Sequence, residues 1–222
     1  MLFGFEVSHS LSVVQIRSNL RSIMRIAILG TGNVGTALGT RLRQAGHHVT
    51  FGSRTPEAHP GAVAQAEAVA SADLVITAIP GLAVLPTLEA IGEDVIGDKI
   101  VLDPSVAINA DMSLAYPNDS VARLVQARFP RARVVKTLNT MNVLVMVDPL
   151  NTVPNATVFL SGDDEAAKGD VTTLLSDLGW NNEQILDLGG VVTATGTEHA
   201  APLFFATFMA LQTPAFSITI SR

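Results

Sequence analysis

The sequence predicts an open α/β fold, a mostly parallel and doubly wound sheet with a smaller C-terminal lobe. Three observations carry this expectation. Short apolar runs rich in Val, Ile and Leu recur from Met24 onward, helix-like stretches separate them, and the first junction holds three glycines in G-x-G-x-x-G spacing. Runs that are apolar at every position suit strands buried on both faces, and strand–helix–strand repetition implies right-handed crossovers.

The runs come in order as RIAILG, HHVTFGS, DLVITAIP, KIVLDP, RVVKTLN and ATVFLSG. Between them the helix-like segments are VGTALGTRLRQAG, AVAQAEAVASA, LAVLPTLEAIG, DSVARLVQARF and DEAAKGDVTTLLSDLG. The tail from Glu198 to Phe216 reads as one more apolar helix, broken or ended at Pro214. A seam is expected near TLNTMN, which divides the chain into residues 24–137 and a smaller lobe over 138–222. The 23 residues before Met24 lack a periodic pattern and read as a disordered extension, with a transit peptide as the lesser alternative.

Composition narrows the function. Of 222 residues, 48% are hydrophobic and 15% charged, which excludes a disordered or coiled-coil chain. The net charge of −6 argues against nucleic-acid binding, and no apolar run is long enough to span a membrane. There is no cysteine, so disulfides, thiolate metal sites and a cysteine nucleophile are ruled out. The five histidines show no metal-ligand spacing, and no metal is expected. A cytoplasmic location fits these readings.

Gly30, Gly32 and Gly35 follow an apolar strand and open an amphipathic helix, the context that makes the motif a dinucleotide fingerprint. The first glycine permits a tight turn, the second lets the backbone approach a pyrophosphate, and the third lets helix and strand pack closely. Free N–H groups at the helix start then face the phosphates. About 20 residues on, an NAD site places a carboxylate for the ribose hydroxyls. Here that position reads FGSR, and no Asp or Glu occurs from Val49 to Pro56. Ser53 can donate a hydrogen bond and Arg54 a charge-assisted contact to a 2′-phosphate, so the pair selects NADP over NAD.

With these residues in place the chain resembles the F420-dependent NADP oxidoreductase family. The resemblance rests on MRIAILGTGNVGTALGTRLRQAGHHVTFGSR, ASADLVITAIPG, ARVVKTLNTMNVLVMVDP, VFLSGDDEAAK and TEHAAPLFFATF, in that order. It implies a Rossmann domain, NADP as cofactor, and hydride transfer between NADPH and coenzyme F420, a deazaflavin. It also implies a homodimer and a set of site residues. Thr31, Gly32, Asn33 and Val34 match the pyrophosphate loop, and Ser53 and Arg54 the 2′-phosphate pair. Ile79, Gly81 and Val106 match positions near the adenosine and nicotinamide ribose, and Asn139 to Val143 the loop lining the nicotinamide. Three positions depart from the pattern. Ala58 stands where a lysine is usual, DPSVAI replaces D-x-x-N-P-L, and Asn139 stands where deazaflavin-active relatives carry histidine.

Transfer between two stacked rings needs positioning and no protein nucleophile. The sequence suits that chemistry, with Asp103 and Asn139 as its polar candidates and Asn139 as an orienting residue. Three alternatives stay open: a flavin or ferric reductase of the same fold, a non-catalytic NADPH-binding regulator, and, less well supported, a hydroxyacid dehydrogenase or imine reductase. The last needs a long helical domain with a catalytic lysine or aspartate, whereas the stretch after Asn139 holds the single lysine Lys168.

Overall fold

The computed structural model describes residues 23–221; the expected extension over 1–23 lies, apart from Ile23, outside the described residues. In chain order the elements are β1 (Arg25–Leu29), α1 (Asn33–Gln44), β2 (His48–Ser53), β3 (Ala62–Ala64), α2 (Gln65–Ala70), β4 (Leu74–Thr77), α3 (Gly81–Ile91), α4 (Glu93–Ile96) and β5 (Ile100–Asp103). There follow α5 (Val121–Arg128), β6 (Arg133–Thr137), α6 (Val143–Val147), α7 (Pro149–Thr152), β7 (Val158–Ser161), α8 (Glu165–Asp177), β8 (Ile185–Asp187), α9 (Ala194–Glu198) and α10 (Ala201–Leu211). The strands form one eight-stranded sheet in the order β3-β2-β1-β4-β5-β6-β7-β8. All neighbours are parallel except β6 and β7. The sheet is the mostly parallel, doubly wound one that the sequence predicts.

Alternation along each strand builds two cores. Ile26 and Ile28 of β1 pack on one face with Leu38 and Leu42 of α1 and Val171, Leu174 and Leu175 of α8. Ala27 and Leu29 pack on the other with Val69, Val84, Leu88 and Val125. That double burial is why the strands read as continuous apolar runs. At the lower edge His47 accepts from the Met24 N–H at Nδ1, so its Nε2 is the donor to Asp177, 3.1 Å away. One buried imidazole thus ties the start of β1 to the end of α8.

The structure corrects three readings. The segment AVAQAEAVASA is no single helix: Ala62–Ala64 pair with Phe51–Ser53 as an edge strand before α2 begins. The strand β8 falls in NEQILDLGG, which the reading of apolar runs passed over because only two of its three residues are apolar. The tail is two helices, since Pro202 in the first turn of α10 has no N–H to continue α9. Then α10 stops at Leu211, where Gln212 turns left-handed (φ 54°) ahead of Pro214. The seam expected at residue 137 falls between neighbouring strands of the continuous sheet, with β7 and β8 hydrogen bonded beyond it.

Candidate functional site

The strand order places β1 between β2 and β4, so the connections leaving β1 and β4 diverge to opposite faces. A crevice forms at such a reversal, outside the carboxyl ends of the strands. Here it is a cleft of about 320 Å³ lined by Gly32, Asn33, Val34, Ile79, Gly81 and Val106, together with Thr77, Ala78 and Pro104 to Ser105.

Each glycine of the first loop has a separate physical role. Gly30 has φ +112°, and a Cβ there would lie 2.3 Å from the Ala78 carbonyl oxygen. A Cβ on Gly35 would lie 2.2 Å from the Gly30 oxygen, so helix and loop touch backbone to backbone. At Gly32, by contrast, a Cβ would meet nothing within 4 Å. That side of the loop is open to a ligand. Gly32 also caps α1 without a side-chain bond, and the first turn of α1 carries no acid. Its free N–H groups and dipole therefore favour an anion.

The loop lies beside the end of β2, where the Gly30 N–H donates to the Gly52 carbonyl at 3.1 Å. Ser53 is buried and its hydroxyl accepts from the Thr55 N–H at 3.1 Å. Arg54 is exposed, and its guanidinium has no ion pair or hydrogen bond among the described residues. Gly81 opens α3 against the next loop, its missing Cβ making way for the Val106 backbone at 2.4 Å. On the loop after β6 Asn139 follows Leu138, which is held at φ 65°, and the Asn139 Nδ2 is buried without a hydrogen-bond partner among the described residues. Val143 begins α6 and packs on the core. The structure thus gathers six of the expected residues around the cleft, sets Ser53 and Arg54 at the adjacent strand end, and leaves Asn139 on the loop after β6 and Val143 at the start of α6.

Beneath the cleft lies a charge cluster that the sequence reading missed. Lys136 Nζ is 2.7 Å from Asp103 Oδ2 and 2.7 Å from Glu198 Oε1, with all three side chains almost wholly inaccessible. Lys136 also donates to the Ser105 carbonyl. The Thr77 hydroxyl donates to Asp103 Oδ1 at 2.6 Å, and Glu198 accepts from the Val121 N–H at 3.0 Å. Asp103 therefore serves this cluster, where it had been expected as a polar group of the site. A signal was present: a lone lysine inside the buried run RVVKT needs a charged partner. Lys168, the single lysine after Asn139, is ion-paired to Glu165 and Asp187.

Burial pushes the Glu198 carboxyl above its ordinary value of 4.5, against the pull of the Lys136 ammonium. The folded state then holds this proton more tightly than the unfolded chain. The stability so gained is full below about pH 4.5 and is lost as pH rises through the folded value. Glu198→Gln is expected to flatten the fall in melting temperature between acid and neutral pH. A slope identical to that of the unaltered protein would show that Glu198 does not titrate there.

Residues 25–107 match the family described as NADP oxidoreductase, coenzyme F420-dependent. A solved structure from Arthrobacter sp. FB24, provisionally assigned as an F420-dependent NADP-reductase, superposes with a TM-score of 0.85 at 38% identity. The match covers 90% of this chain and 100% of that one. This chain belongs to the F420-dependent NADP oxidoreductase family. The F420-dependent NADP reductase of Methanothermobacter thermautotrophicus is 32% identical to this family member over 106 residues, 40% of this chain and 45% of the relative. Metalloreductase STEAP3 of Rattus norvegicus is 28% identical over 189 residues, 81% of this chain and 36% of the relative. Against both curated relatives, then, the match spans less than half of their length. No helix among the described residues of this family member is long and apolar enough to cross a membrane.

Proposed function

We propose that the protein is an NADP(H)-dependent oxidoreductase that passes a hydride between NADPH and coenzyme F420 or a similar deazaflavin. The observation that carries this reading is the acid-free N-terminus of α1, open at Gly32, with the Arg54 guanidinium, unpaired among the described residues, on the neighbouring strand end. These groups fit a dinucleotide bearing an extra phosphate. Thr31 to Val34 hold the pyrophosphate through backbone N–H groups, and Ser53 and Arg54 hold the 2′-phosphate. Ile79, Gly81 and Val106 line the path toward the nicotinamide, and Asn139 and Val143 bound its far side. Bound NADPH supplies the transferable hydride. The protein positions it and keeps the cleft dry, with Asn139 Nδ2 as an orienting donor.

A second reading, a flavin or ferric reductase, is favoured by the 189-residue likeness to a metalloreductase. Oxidation of NADPH, followed by its absorbance with coenzyme F420, FMN and ferric chelates in turn, separates the two. Turnover with coenzyme F420 is expected. Turnover with FMN or ferric chelates alone supports the second reading, and tight NADPH binding without turnover supports a nucleotide-binding regulator.

We further propose that the protein works as a homodimer through α10. That helix is apolar on nearly all faces, yet its own chain leaves Leu203 62%, Met209 66% and Leu211 55% exposed. A helix of this kind needs a partner surface. Its inner side, with Phe204 stacked on Phe216, meets Thr140 of the TLNTMN loop around a small cavity. Phe208→Asp is expected to give monomers and to depress turnover more than NADPH binding. Light scattering beside steady-state kinetics checks it, and an unaltered protein that is monomeric at micromolar concentration contradicts it.

A further inference from the structure

Ser105 was absent from the residues that the sequence pointed to, yet the structure fixes it with unusual care. It lines the cleft, is 8% exposed, and its hydroxyl is buried with no hydrogen-bond partner among the described residues. Its backbone is held from both sides. The Ser105 N–H donates to Asp103 Oδ1 at 3.2 Å, and its carbonyl accepts from Lys136 Nζ. The next residue, Val106, is clamped by the close approach of Gly81. A buried, unpaired hydroxyl on an immobilised backbone is costly to the fold unless something else completes its hydrogen bonds.

Position says what that something is. Gly32 to Val34 stand at the pyrophosphate end of the cleft and Arg54 lies outward just past β2, so Ser105, just past the end of β5 and two strands from β1, faces the other end. Register pairs Asp103 with Lys136, which brings the end of β5 beside Thr137 of β6. The Thr137 hydroxyl and, on the loop beyond it, Asn139 Nδ2 are also buried and without hydrogen-bond partners among the described residues. A neutral hydroxyl beside a lysine already engaged by Asp103 and Glu198 suits a neutral polar group, such as a carboxamide or a ribose hydroxyl, better than a phosphate.

We propose that Ser105 is a recognition residue for the nicotinamide nucleoside half of the dinucleotide, and that the buried Asp103–Lys136 pair is the device that positions it. The proposal rests on the reading of the cleft as an NADP(H) site. It extends that reading to a residue whose hydroxyl makes contact and to two positioning residues that make none.

Calorimetric titration of the full 222-residue chain with NADPH and with adenosine 2′,5′-bisphosphate, which lacks the nicotinamide half, tests it. Ser105→Ala is expected to bind NADPH about fivefold to tenfold more weakly and the bisphosphate as before. Its melting temperature without ligand should equal or exceed that of the unaltered protein, because an unpaired hydroxyl has been removed. A merely structural serine would lower it. Asp103→Asn should repeat the split between ligands in weaker form. Unchanged NADPH affinity in Ser105→Ala, or equal losses for both ligands, overturns the proposal. Asp103→Asn that binds both ligands normally removes the pair from it. If the unaltered protein binds neither ligand, the underlying reading of the cleft fails, an outcome distinct from failure of Ser105 alone.

Discussion

Arg54→Ala is expected to weaken NADPH binding by roughly tenfold to a hundredfold and to leave NADH binding unchanged. Only NADPH carries the 2′-phosphate, and the Arg54 guanidinium has no other partner among the described residues to lose. Its removal should therefore cost the fold nothing measurable. The contact is charge-assisted and solvent-facing, so salt should narrow the gap between the two proteins. Titration of both nucleotides into both proteins decides the matter. Equal losses for NADPH and NADH would make Arg54 a structural residue of the β2 end. Ala58, at the position where the family resemblance implies a further lysine, adds no cation to share the phosphate and so makes the expected loss steeper.

Lys136→Met should be the most damaging single change to stability, at about 3–5 kcal/mol. Asp103 and Glu198 would be left facing each other in the interior with no cation between them. Urea unfolding should show a lower midpoint at neutral pH and a smaller difference in acid, where Glu198 takes up a proton. Neutralising the partners as well, in the triple variant with Asp103→Asn and Glu198→Gln, should recover much of the loss, because no unpaired charge then remains. A loss below about 1 kcal/mol for Lys136→Met alone would mean that water or a rearranged side chain reaches the cluster.

The legible parts of this protein were those governed by local rules. The alternation of apolar runs and helices gave the sheet, and the three glycines gave the loop whose contacts are observed at Gly30 and Gly35. Arg54 stood out because a carboxylate was absent where another nucleotide would require one. The short edge strands β3 and β8 were hidden because three residues carry too little pattern to separate from their neighbours. The cluster of Asp103, Lys136 and Glu198 was hidden for another reason. Its members lie on two strands and a helix far apart in the chain, and no spacing rule joins them. Ser105 is invisible for the same reason: a serine is notable only once its hydroxyl is seen to be buried and unpaired.

Hydride transfer between NADPH and a deazaflavin in the cleft at the strand ends can be followed with an isotope. NADPH carrying deuterium at the transferable C4 position, mixed with the protein and coenzyme F420 in a single turnover, tests it most directly. Oxidation of the nucleotide is expected, with the deuterium recovered at carbon in the reduced deazaflavin. Bound NADPH that stays reduced, or deuterium absent from the reduced acceptor, would contradict it.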